Sequence, residues 1–164
     1  MTRTFVFSDP HFGQDSLYKY SHKHGHVLRP EFASAEEADK AMVHNFNNVV
    51  PEFDSTVYFL GDISKNITTA EKYISQLNGT RKILVMGNHD AKYVTARLAK
   101  LFDKLLGVTY VCDKKYVLTH VPVHPCELRG MINCHGHVHR NTINDSRYIN
   151  ASVEVNNYYP IEIN

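Results

Sequence analysis

No apolar run in the sequence approaches the roughly 18 residues that a bilayer-spanning helix needs, and the opening residues MTRTFVFSD carry neither the h-region nor the cleavage site of a signal peptide. Both absences predict a cytoplasmic protein with no membrane partner. Cysteine pairs are missing too. Cys112, Cys126 and Cys134 are an odd count without paired spacing, which predicts reduced thiols rather than a disulfide framework. An excess of one charge is also lacking. With 18 Lys and Arg against 17 Asp and Glu the formal net charge is +1, short of the basic excess behind tight, non-specific binding to duplex nucleic acid or an anionic membrane. Low-complexity segments, charge blocks and Pro/Gly/Ser-rich linkers do not occur either. The 164 residues, 43% of them apolar, therefore predict one domain over residues 1–164 with a small partner.

What the sequence has instead is short β-rich runs alternating with amphipathic helices. Residues 34 to 50 open with Ser34 and Glu37 in capping-box spacing, place Ala38, Met42, Phe46 and Val49 on one face, and stop at Pro51. Thr68 and Glu71 repeat that spacing before Tyr73, Ile74 and Leu77, with Gly79 as the stop. A third helix follows Asp90, with Val94, Leu98 and Leu101 in register. The runs TFVF, TVYFL, KILVM, YVLT and MINC are rich in β-branched, aromatic and aliphatic residues and predict strands. The Lys114, Lys115 pair reads as a hairpin turn.

Histidine is abundant, with 11 residues, and it is clustered. Each predicted strand delivers polar residues at its carboxyl end: Asp9 and His11, then Asp62, then Asn88 to Asp90, then His120, then His137 and His139. Sheets with helical crossovers place ligand sites at that end. One such residue would be an ordinary loop or capping group; five clusters predict a site. Two carboxylates, one amide and four imidazoles with no thiolate make a mixed N/O ligand set, suited to Mn, Fe, Ni or Zn rather than to Ca or Mg. Seven side chains exceed what one ion takes, and a carboxylate shared by two ions about 3.5 to 4 Å apart resolves the excess. Two divalent cations against two aspartates leave a positive centre that attracts a phosphate ester and stabilises its developing charge, with metal-held water as nucleophile.

In chain order, DPH, GD, GNHD, H and GHVH resemble the motif set of the calcineurin-like metallophosphoesterases, from Asp9 to His139. HFG, VYFLGD, RKILVMGNHD and NASVEVNNYYPIEI are similar to a small, single-domain branch found in bacteria and their phages. The resemblance implies a four-layer α/β/β/α sandwich of two mixed sheets flanked by helices, with a binuclear site at one edge. It implies that Asp9, His11 and His139 hold one ion and Asn88, His120 and His137 the other, with Asp62 bridging. Mn²⁺ is the first choice, with Fe, Ni or Zn as alternatives. His89 would stand over the phosphate as stabiliser and proton donor to the leaving oxygen, with Asp90 fixing its orientation. Gly61, Gly87 and Gly136 each precede a ligand, where a missing side chain lets the backbone turn sharply. Departures from the pattern are Pro10 between the first two ligands, Gln14 after HFG, and Thr119 before His120; the last two fall at the substrate rim.

His22, His24 and His26 alternate in SHKHGHVLRP and read as a solvated loop, while His124 and His135 read as supporting or surface residues. Arg29, in the same early loop, suits phosphate recognition. Tyr158 and Tyr159 predict edge-strand packing. His89, Arg29 and a solvent-facing Lys65 make a modest positive complement, which favours a small, nucleotide-like phosphodiester over a phosphomonoester. Nuclease or RNA end-processing activity is the next alternative. A non-catalytic scaffold ranks last because no ligand position is replaced.

Overall fold

The first strand, β1 (Arg3–Phe7), passes from exposed to fully buried at Phe5, Val6 and Phe7, as a strand covered on both faces must. The computed structural model describes residues 2–21, 25–93 and 96–164. In it β1 pairs in parallel with β2 (Ser55–Phe59), β2 with β3 (Arg81–Val85), and β3 with β4 (Lys104–Leu106). A second sheet runs in the order β5 (Val108–Val111), β6 (Tyr116–Thr119), β7 (Ile132–His135) and β8 (Tyr148–Asn150). Its β5 is antiparallel to β6, and the other three strands are parallel. The last strand, β9 (Ile161–Ile163), returns to the first sheet antiparallel to β1. Both sheets are therefore mixed. The four described α-helices are α1 (Ala35–Val49), α2 (Ile67–Ile74), α3 (Asp90–Tyr93) and α4 (Ala96–Ala99), and none is long and apolar enough to cross a membrane.

Side-chain alternation along the strands sorts two cores. Phe5, Phe7, Val57, Phe59 and Leu84 face outward onto Met42 and Phe46 of α1, Tyr73 and Ile74 of α2, and Leu98 of α4. Val6, Leu60, Val85 and Ile163 face inward onto Tyr116, Leu118, Cys134 and Ala151 of the second sheet. The order helix, sheet, sheet matches the expected sandwich. On the outer face of the second sheet lies the segment 121–131, whose one helical piece is the 3-10 turn Pro125–Glu127. It is tied down by the Val123 N–H to Asn133 Oδ1 (3.0 Å) and the Tyr148 hydroxyl to the Val123 carbonyl (2.8 Å). Among the described residues the expected fourth layer is thus a loop, and Pro122 and Pro125 within it account for that.

Local signals mostly act where expected. The Ser34 hydroxyl accepts the Glu37 N–H at 3.2 Å, although the Glu37 carboxylate reaches back to the Ala33 N–H rather than to that of Ser34. For α2 the expected cap is displaced: Asn66, not Thr68, accepts the Thr69 N–H at 3.1 Å, and Glu71 pairs with Arg97. Asn is as strong an N-cap as Thr, and it comes first in the chain. Helix α2 ends at Ile74, before Gly79. In the third predicted helix Val94 lies outside the described residues, and Leu101 follows the end of α4. The Lys115 N–H closes the β5–β6 hairpin onto the Cys112 carbonyl at 2.9 Å. All three cysteines are free.

Candidate metal centre

Strands β1, β2 and β3 run parallel, as do β6 and β7, and backbone hydrogen bonds join their carboxyl ends into one edge. Asp9 and His11 donate N–H groups to the Gly61 and Asp62 carbonyls, each at 3.1 Å, and Gly136 donates to the His120 carbonyl at 2.9 Å. Two trios result, Asp9 with His11 and His139, and Asp62 with His120 and His137. Within each trio the ligand atoms lie within 4.8 Å of one another. Asn88 joins the second, its Oδ1 standing 3.0 Å from both His120 Nε2 and His137 Nδ1. Asp9, His11, Asp62 and His120 are buried, while Asn88 and His137 lie on the exposed side.

Hydrogen bonds behind each ligand decide which atom faces inward. Asp9 Oδ2 accepts the Ser8 hydroxyl (2.7 Å), the Ser152 hydroxyl (3.1 Å) and the His137 N–H (2.9 Å), leaving Oδ1. His120 Nδ1 meets the Leu60 carbonyl at 2.7 Å, so Nε2 faces the centre. His11 Nδ1 meets Gln14 Oε1 at 3.1 Å, and His139 Nδ1 meets Glu154 Oε1 at 2.9 Å. Burial, with the Arg29 charge behind it, holds His11 well below the usual imidazole range, so its ring is neutral. Burial would lower His139 as well, but the hydrogen bond and charge of Glu154 hold it above its ordinary value.

Asp62 occupies the middle. Its Oδ2 is 3.6 Å from His11 Nε2 in one trio and 3.6 Å from His120 Nε2 in the other. Asp9 Oδ1 and His11 Nε2 are buried without a hydrogen-bond partner, and such atoms are expensive to leave unsatisfied. A carboxylate oxygen and a neutral imidazole nitrogen converging without a proton between them are what a divalent cation requires. Backbone strain marks the same positions: Asp9, His11, Asp62, His137 and His139 have φ of 56°, 48°, 56°, 71° and 51°. Such left-handed conformations are disfavoured for non-glycine residues and gather at functional sites.

Two expected roles change. Asp90 does not touch His89; its buried carboxylate accepts the N–H groups of Asp62 (2.7 Å), Gly87 (2.8 Å) and Ile63 (3.0 Å). Burial outweighs these donors and pushes its carboxyl upward. It binds the β2 and β3 loops together, while the His89 backbone N–H is held by Asp62 Oδ1 at 2.9 Å. Arg29 is 0% exposed. Its five N–H donors go to Glu154, Pro10, Tyr18 and Asp9, which leaves none for a substrate phosphate. The guanidinium instead fixes the Asp9–Pro10 backbone and, through Glu154, His139. The charge of Arg29 and the bond from His139 overcome burial to bring Glu154 down to about 2.

Other expected residues fall as follows. Gln14 backs His11 through Oε1, and the Thr119 hydroxyl is spent on the Val121 carbonyl at 2.7 Å. Lys65 and His26 are exposed, and His22 and His24 lie outside the described residues. His124 caps the 3-10 turn after Val123, whereas His135 is fully buried against Tyr148. Tyr158 is buried in the first core with its hydroxyl on Glu31. Of the three glycines only Gly61 needs a left-handed turn, with φ +94°. Gly87 and Gly136 permit close approach instead: an added Cβ would stand 2.2 Å from Asp62 Oδ1 at one and 1.9 Å from Ser8 Oγ at the other. Ser8, Ser152 and Glu154 are supporting residues that motif reading missed. The signal for Ser152 and Glu154 lay in the polar NASVE run at the carboxyl end of β8, a sixth strand delivering to the same edge, and that for Ser8 in its place at the end of β1, just before Asp9.

The fold and site define a mixed α/β protein with two sheets and paired Asp/His clusters suited to metal at their shared carboxyl edge. No family model matches the chain. It is 33% identical over 174 residues to uncharacterized protein MJ1445 of Methanocaldococcus jannaschii, an alignment covering 99% of this chain and 88% of that one. The chain belongs to the same family as that protein. Among solved structures it is similar to the protein of unknown function AQ665 from Aquifex aeolicus, at TM-score 0.68 and 28% identity over 98% of this chain and 95% of that one. A likeness in fold alone extends to nuclease MPE of Pseudomonas putida, at TM-score 0.54 and 19% identity over 83% of this chain and 61% of that one.

Proposed function

We propose that the chain is a calcineurin-like, metal-dependent phosphoesterase that acts as one domain on a small, nucleotide-like phosphodiester. One observation carries the reading: Asp62 Oδ2 stands 3.6 Å from an imidazole nitrogen of each trio, the position of a shared ligand. Asp9, His11 and His139 would hold one divalent ion, and Asn88, His120 and His137 the other, with Asp62 common to both. The N/O donor set suits Mn²⁺ first and Fe, Ni or Zn as alternatives. Bound ions would supply Lewis-acid activation of water and of the phosphoryl group.

The chain's own residues supply the rest. His89 is outside both trios, with Nε2 3.8 Å from Asp62 Oδ2, and its side chain is 30% exposed. The Asp62 carboxylate anchors its backbone, and the His11 ring lies edge-on at 5.4 Å. An imidazole held beside the centre and open to solvent can donate a proton to the departing oxygen. A phosphomonoester, with two charges to hold, is served less well because Arg29 is committed elsewhere. A nuclease is the second reading, favoured by the fold shared with nuclease MPE.

His89→Gln should retain metal while kcat falls roughly 10²- to 10⁴-fold, with a smaller loss for a nitrophenolate leaving group, which scarcely needs a proton. Equal losses for good and poor leaving groups would reassign His89 to phosphate positioning. Assays of bis(p-nitrophenyl) phosphate, p-nitrophenyl phosphate, cyclic nucleotides and short RNA under Mn²⁺ decide the substrate class. Monoester kcat/KM tenfold or more above that of every diester would make the protein a phosphatase.

A further inference from the structure

Beside the second trio the fold leaves an open cavity of about 420 Å³. One wall is Asn88, Thr119 and His120; Met86, Gly107, Val121 and Val123 are among the residues that form the others. We propose that this cavity is the subsite for one organic group of the diester, the other being nucleotide-like, and that it prefers a compact, uncharged apolar group, aryl or branched alkyl, over a second phosphate. The inference rests on the phosphoesterase reading and narrows its substrate class.

Continuity comes first. Asn88 and His120 belong both to the second trio and to the cavity wall, so a phosphate held at that trio points one substituent into the cavity. Chemistry comes next. Among the described residues no charged side chain lines it, so a second anionic group would find no cationic side chain to offset its desolvation. The Thr119 hydroxyl is already engaged: it donates to the Val121 carbonyl at 2.7 Å and accepts from Asn133 Nδ2 at 2.9 Å. His120 turns Nδ1 to the Leu60 carbonyl at 2.7 Å and keeps Nε2 beside Asn88 Oδ1. An apolar ring entering here meets Met86, Val121 and Val123. Size is adequate, since an apolar cavity of about 150 Å³ already holds benzene.

Gly107, between β4 and β5, keeps the cavity open. A Cβ built there meets nothing within 4 Å, so a larger residue at this lining position is accommodated without a clash at the backbone. Gly107 is thereby the residue that sets the size of the accepted group.

The test compares binding of phenylphosphonate and methylphosphonate to the Mn²⁺-loaded protein by calorimetry. Wild type should bind the phenyl compound at least tenfold more tightly. Gly107→Leu should reduce that ratio to within about twofold, with Gly107→Ala intermediate. Val121→Asn, at a half-exposed position that tolerates polarity, should lower the ratio at least threefold. It and Gly107→Ala decide the matter if Gly107→Leu does not fold. A wild-type ratio near one, or a ratio unchanged in folded Gly107→Leu, overturns the subsite. Hydrolysis of nitrophenyl phosphate esters by the same preparation separates the two readings: hydrolysis with a ratio near one removes the subsite alone. Absence of both hydrolysis and phosphonate binding removes the phosphoesterase reading as well.

Discussion

Replacing Asp90 by Asn should destabilise the protein and weaken metal binding rather than act on His89. The carboxylate takes the Asp62 and Gly87 N–H groups on Oδ2 and the Ile63 N–H on Oδ1. An asparagine oxygen can keep the pair at Oδ2, but its NH₂ then faces the Ile63 N–H. The Ile63 N–H and the new NH₂ are both stranded, each at about 1 to 3 kcal/mol, and the remaining two bonds lose their charge assistance, while removal of a buried charge offsets part of the loss. A total near 2 to 4 kcal/mol is a large share of the 5 to 15 kcal/mol typical of a domain. Urea unfolding of the metal-free protein should show the midpoint falling with the slope unchanged. Mn²⁺ titration should show weaker affinity, because the Asp62 backbone has lost its anchor. If Asp90→Asn unfolds at the wild-type midpoint, keeps both ions, and loses only kcat, then Asp90 orients His89 and the clamp is refuted.

Asp39 is buried with Oδ1 unpartnered and Oδ2 on the Gly13 N–H at 2.8 Å, and burial pushes its carboxyl from 3.8 up to about 6. The fold favours the neutral acid, so this penalty is absent below the unfolded value, grows as pH rises through the folded one, and is complete above it. Asp39→Asn should therefore be more stable than wild type by about 1 to 3 kcal/mol at pH 8, with the gain vanishing near pH 4; a stability difference independent of pH would refute this. Glu154→Gln should bind metal roughly tenfold to a hundredfold more weakly through loss of the negative charge behind His139. It should also lose about 3 to 5 kcal/mol by leaving the Arg29 charge buried and unpaired; wild-type values for both in calorimetry and urea unfolding would show that the chain from Arg29 to His139 is idle.

Strands and ligand clusters were legible where each could be read locally. KILVM followed by GNHD announces a buried strand and a polar carboxyl end within a dozen residues. The strands KLL, YIN and IEI have three residues each, too few for a period to register, so Ser152 and Glu154 past β8 went unseen. Arg29 reads as a phosphate contact because its burial depends on Glu154, 125 positions away. Asp90 reads as the partner of its neighbour His89 because adjacency in sequence suggests contact. Its carboxylate instead spans two loops, and no local pattern encodes that. Gly87 and Gly136 are read correctly as obligatory and for the wrong reason, since the crowding against Asp62 and Ser8 exists only once the strands are side by side.

The most direct measurement is metal stoichiometry and affinity by Mn²⁺ equilibrium titration of wild type and Asp62→Asn. With Asp62 Oδ2 at 3.6 Å from both His11 Nε2 and His120 Nε2, the wild type should bind two ions per chain, and Asp62→Asn should weaken both by at least tenfold. A wild-type chain that binds one ion or none, or an Asp62→Asn variant that holds two with undiminished affinity, would contradict the shared-carboxylate centre.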